Sequence, residues 1–66
     1  MKADRAEVSW DQQKNKWLVR IVIGEEVIRR YCHEPKDADA QQLSSSAIKA
    51  AADEGYHVDP ATVVVR

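Results

Sequence analysis

Seven consecutive residues, Trp17-Leu18-Val19-Arg20-Ile21-Val22-Ile23, constrain this chain more than any others. They are rich in β-branched and aromatic side chains, which suit a pleated, half-buried surface. Their period-2 pattern places Trp17, Val19, Ile21 and Ile23 on one face of a strand. Leu18, Arg20 and Val22 fall on the other, with Arg20 the lone charge. Polar residues Asp11 to Lys16 precede the run and Gly24-Glu25 follows it. A single strand cannot bury its apolar face, and an isolated hairpin is marginal in water. The flanking segments must therefore supply partner strands and a covering layer.

The residues before the run read as a short strand near Glu7-Val8-Ser9-Trp10. A polar hairpin loop over Asp11 to Lys16 joins it to the central strand, since Asp and Asn suit tight turns. Met1 to Arg5 is polar and is expected to fray. After the central strand, Gly24 supplies positive φ for a tight turn. Glu26 to Cys32 then forms a third strand. On it Val27, Arg29 and Tyr31 share one face, and Glu26, Ile28, Arg30 and Cys32 the other; neither is cleanly apolar, so register is weakly specified. Pro35 ends the sheet, because it cannot donate to a ladder. Asp39, with Gln42 three residues on, fits a capping box. A helix follows to about Glu54, with Gly55 as its left-handed C-cap. Ala40, Leu43, Ala47, Ala50 and Ala51 make one apolar stripe, a core face of small side chains. Tyr56 to Pro60 is turn-like. Thr62 to Val65 has strand composition, and either adds a fourth strand or pairs with another chain.

The expected fold is thus α+β: a three-stranded antiparallel sheet packed on one helix, in the order β-β-β-α, with a possible C-terminal fourth strand. The 66 residues make one small domain with a core near residues 7–58. A chain of this length buries only about 60% of the surface exposed on unfolding. Its one cysteine, Cys32, provides no internal disulfide. With 44% hydrophobic and 32% charged residues, the composition is that of a globular domain. No stretch approaches the roughly 18 apolar residues of a membrane span.

Enzymatic chemistry is not expected. There is little room for a deep cleft. Ser44-Ser45-Ser46 lacks the base and oxyanion setting of a nucleophile, and no glycine-rich phosphate loop is present. His33, Glu34 and Asp37 form a surface cluster without an acid–base pair. Cys32, His33 and His57 match no zinc spacing. No cofactor, metal or small-molecule substrate is expected.

The stretch Val8-Ser9-Trp10-Asp11-Gln12-Gln13-Lys14-Asn15-Lys16-Trp17-Leu18-Val19-Arg20-Ile21 resembles the opening of the ethylene-response-factor (Apetala-type) DNA-binding domain. That family begins with a valine-x-tryptophan strand, a polar hairpin, a lysine-tryptophan pair and an alternating second strand. A glycine turn, a third strand and an alanine-rich helix follow, as Gly24 to Tyr31 and Ala38 to Ala52 do here. The likeness covers residues 8 to 55. Amino-terminal domains of phage-type integrases are similar in plan. The resemblance implies binding of double-stranded DNA, with the outer sheet face in the major groove, opposite the helix. Its inner face would hold Val8, Trp10, Trp17, Val19, Ile21 and Val27. Its outer face would hold Ser9, Leu18, Arg20, Val22, Glu26, Ile28 and Arg30. The implied DNA contacts are Ser9, Arg20 and Arg30, with Lys14 and Lys16 on phosphate. Leu18, Val22, Ile28 and Glu26 depart from the arginines and tryptophan usual there, and Glu7 stands in place of a glycine. The compartment implied is intracellular: nuclear for a eukaryotic transcription factor, otherwise cytoplasmic.

The charge pattern bears on both readings. The net charge is -1 and the sequence pI about 6.1, unlike the basic excess of most nucleic-acid binders. Yet Lys14, Lys16, Arg20, Arg29 and Arg30 outnumber Glu25 and Glu26 in the hairpin sheet, whereas the helix and tail are acidic. A second reading is a protein-interaction module. In it Leu18, Val22 and Ile28 form an exposed apolar strip, and the strand of Val63 and Val65 pairs with a protein partner or in a homodimer.

Overall fold

The computed structural model describes all 66 residues. Four strands, β1 (Arg5–Asp11), β2 (Lys16–Ile23), β3 (Glu26–Cys32) and β4 (Val63–Val65), form one sheet in the order β3-β2-β1-β4. The first three are antiparallel, and β4 lies parallel to β1. Helix α1 (Ala40–Asp53) connects β3 to β4. A parallel return of this kind needs a long crossover, and the helix supplies it while covering one face of the sheet. The other face has no covering layer.

Turn chemistry sets the hairpins. In the first, the Asp11 carboxylate accepts from the Gln13 and Lys14 amides, at 3.0 and 3.3 Å, and Asn15 takes φ 53°. In the second, Gly24 has φ 59° and Glu25 does not share the positive sign, as a two-residue type II′ turn requires. This turn makes Ile23 the partner of Glu26. It follows that Ile21 opposes Ile28, Val19 opposes Arg30 and Arg20 opposes Arg29.

That register corrects the expected faces of β3. Directly opposed residues share a face, so Ile28 and Arg30 lie on the helix side with Ile21 and Val19. Val27, Arg29 and Tyr31 lie on the open side. Ile28 packs against the core, and the Arg30 guanidinium sits 3.2 Å from Glu54 at the helix end.

Helix α1 begins and ends where its capping residues dictate. The Asp39 carboxylate accepts from the Gln42 amide at 2.8 Å, and the Gln42 side chain accepts from the Asp39 amide at 3.2 Å. At the other end Gly55 has φ 87°, its amide donates to Ala52, and the Tyr56 amide donates to Ala51. This pair of bonds is a Schellman motif. Asp39→Ala is expected to cost about 1 kcal/mol, read as a lower urea midpoint with an unchanged slope.

Leu43, Ala47 and Ala51 are the buried positions of the helix. They meet Val8, Trp17, Val19 and Ile21 from the sheet. Ala40, expected in the stripe, is exposed at the first turn. The amino terminus is part of the fold and does not fray. Ala3 is buried, its amide donates to the His57 carbonyl at 2.9 Å, and the His57 amide donates to the Met1 carbonyl at 2.8 Å. The core also extends past residue 58, because Val63 and Val65 pack against it from β4.

Trp10 and Trp17 are opposed across the first hairpin and meet edge to face, with centroids 5.3 Å apart at 73°. The Trp17 indole donates to the Pro35 carbonyl at 2.8 Å, tying the connection that follows β3 to the sheet. Such aromatic pairs add about 0.5–1.5 kcal/mol beyond area burial.

Candidate nucleic-acid interface

The open face is built from alternate residues of each strand. Arg5, Glu7, Ser9 and Asp11 come from β1, and Lys16, Leu18, Arg20 and Val22 from β2. Val27, Arg29 and Tyr31 come from β3, and Val64 from β4. Of the residues expected to contact DNA, Ser9, Lys16 and Arg20 share this face. Lys14 joins them from the hairpin loop, its Nζ 5.8 Å from the centre of the Tyr31 ring. Arg30 is not among them. Of the expected apolar strip, Leu18 and Val22 are on this face and Ile28 is not. Val22 is itself largely covered by its neighbours. Val63 and Val65 face the helix side, and their strand is already paired within the chain.

The centre of the face is a carboxylate among arginines. Glu7 accepts from Arg5 Nε at 3.0 Å, with Arg20 Nη1 at 3.8 Å and Arg66 Nη2 at 4.0 Å. Arg29 stands directly beyond Arg20 on the next strand. Like charges so opposed destabilise a sheet unless something neutralises them. Arg20 Nε is buried without a hydrogen-bond partner.

The Arg5 hydrogen bond lowers the pKa of Glu7 below its ordinary value of 4.5. Partial burial opposes this, and the charges of Arg66, Arg5 and Arg20 add to the lowering. A carboxylate with a depressed folded-state pKa stabilises the fold fully above its unfolded value. That contribution is lost as pH falls through the folded value. Urea unfolding at stepped pH is therefore expected to show stability falling below pH 4.5. The fall is expected to be shallower in Glu7→Gln. Identical acid profiles for the two proteins would contradict the ion cluster.

Tyr31 adds an aromatic surface at the hairpin end. Its hydroxyl donates to Asp11 at 3.1 Å, and the residue is 39% exposed. Desolvation raises the phenol pKa, and the bond to Asp11 adds to the effect. The phenol therefore remains a neutral donor.

The face gathers six cations, Arg5, Lys14, Lys16, Arg20, Arg29 and Arg66, against Glu7 and Asp11. Its surplus of four positives, set against a chain total of -1, leaves -5 for the rest of the molecule. The segregation exceeds what the linear charge pattern suggests. Sequence reasoning missed Arg29 and Tyr31 because it set the wrong parity for β3. The two-residue Gly24-Glu25 turn was the available signal, since it forces Ile21 opposite Ile28. Arg5 belonged to a segment expected to fray. Arg66 reaches the face only because β4 pairs with β1.

The helix side shows a different chemistry. A polar groove at the start of α1 is lined by Glu34, Asp39, Gln42 and Ser46, and Ser46 donates to Glu34 at 2.7 Å. Burial pushes the Cys32 thiol up, so it stays protonated at neutral pH. No three His, Cys, Asp or Glu side chains gather to hold a metal ion. No helix is long and apolar enough to cross a membrane. Comparison with protein-family models, with curated proteins and with solved structures found no match to this chain.

Proposed function

We propose that this protein is a non-enzymatic DNA-binding module that docks the open face of its sheet on double-stranded DNA. The observation that carries the reading is the separation of charge: four net positives on the uncovered face of a chain that is otherwise acidic. A flat basic face with an acidic back orients a polyanion toward one side. In this pose Arg20 lies near the centre of the face, and Arg29 stands beside it on the edge strand. Lys14 and Lys16 meet one phosphate ridge from the hairpin, and Ser9 and Tyr31 offer polar contacts between.

A duplex titration at two salt concentrations tests the reading. Three or four neutralised phosphates predict that affinity falls roughly 40- to 150-fold between 50 and 200 mM salt. No binding to mixed-sequence duplex at the lower salt would sink it.

A further inference from the structure

We propose that β3 pairs, antiparallel, with β3 of a second copy of this chain across a two-fold axis at Ile28. Strand β3 is the long free edge of the sheet, running seven residues without proline. Helix α1 packs chiefly over β1 and β4, so it does not shield that edge. Natural sheets usually blunt such an edge with short length, proline, a cover or charged side chains; this one has only the charges of Glu26, Arg29 and Arg30.

Hydrogen-bond parity fixes which residues can pair. The closing pair of a two-residue hairpin, Ile23 and Glu26, is hydrogen-bonded, and bonded pairs alternate along the ladder. Glu26, Ile28, Arg30 and Cys32 therefore spend their backbone groups on β2. Val27, Arg29 and Tyr31 turn theirs outward.

Overlap and charge together select the register among those that parity allows, since an axis at Val27 or Tyr31 pairs only the end of the strand. An axis at Arg29 sets Arg29 against its own copy, and an axis at Arg30 does the same with Arg30. The axis at Ile28 sets Glu26 against Arg30 of the second copy, twice by symmetry. Ile28 then meets Ile28, and Val27 meets Arg29. Opposite charges directly across a strand pair are favourable. The shallow groove lined by Arg30, Cys32, Lys49 and Asp53 beside this edge leaves room for the second copy's side chains. Both helices then lie on one side of a continuous eight-stranded sheet, and both open faces on the other. This association does not depend on what the open face binds.

Amide hydrogen exchange of the unmodified protein is the first test. As concentration rises, the amides of Val27, Arg29 and Tyr31 are expected to slow, with those of Glu26, Ile28 and Arg30 unchanged. Sedimentation is expected to show a dimer that is lost in Glu26→Arg and in Arg30→Glu and regained when both are combined. In a Cys32→Ser background, oxidised Ile28→Cys is expected to form a disulfide dimer. The cross-axis pair is non-hydrogen-bonded, with Cα atoms about 4.5 Å apart. Arg29→Cys is not expected to cross-link. A strict monomer at roughly 1 mM, or a dimer whose β3 amides exchange as fast as in dilute solution, overturns the proposal.

Discussion

Replacing Arg20 and Arg29 together with alanine is expected to remove most duplex binding and to lower the salt slope by about 1.8. The two residues are directly opposed on neighbouring strands of the open face. Only Arg20 has a carboxylate nearby, and it shares Glu7 with Arg5 and Arg66. Their charge is thus largely uncompensated in the free protein and available to phosphate. For every phosphate left without its cation, the slope of log affinity against log salt falls by about 0.9. Arg30→Ala is the informative contrast. Its guanidinium lies on the opposite side of the sheet, beside Glu54, so the slope on a short duplex is expected to stay unchanged. Fluorescence anisotropy with wild type, the double variant and Arg30→Ala measures all three slopes. A slope that responds to Arg30 and ignores Arg20 and Arg29 would falsify the assignment of the face.

Leu43→Ala is expected to be the most destabilising single truncation in the helix, at about 2–5 kcal/mol. The buried stripe of α1 is Leu43, Ala47 and Ala51. The alanines let the helix approach the sheet closely, and Leu43 is the one long side chain filling the space between. It is 1% exposed and packs in the cluster with Val8, Trp17, Val19 and Ile21. A domain of this size has roughly 3–10 kcal/mol of total stability, so the loss is a large share of the whole. Thermal melting followed by circular dichroism should show a drop of about 10–30 °C. Leu43→Met keeps most of the volume and is expected to cost less than about 1.5 kcal/mol. A melt for Leu43→Ala close to that of wild type would mean that α1 does not seat on the sheet through this residue.

The helix was the most legible element in the sequence. Asp39 and Gln42 at capping-box spacing, and Gly55 where positive φ is needed, mark its ends through local hydrogen bonds. The strand Trp17–Ile23 was legible for a related reason. Its helix-side face is wholly apolar, and a one-residue slip would turn Arg20 inward and expose Val19 and Ile21 to water. Strand β3 carried no such signal, because arginines, valine, isoleucine and tyrosine are spread over its two faces. Its parity followed from the turn, and so did the identity of the residues at the candidate site. Arg29 and Tyr31 replaced Arg30 and Ile28.

The sequence by itself determined the local elements and their order. All of these depend on contacts within a few residues or across one turn. Tertiary structure decided what the net charge of -1 means. The parallel return of β4 carries Arg66 to Glu7, and the docking of Ala3 beside His57 carries Arg5 to the same place. Residues from the two ends of the chain meet there because one helix covers only one side of a four-stranded sheet. The uncovered side is where their charge collects.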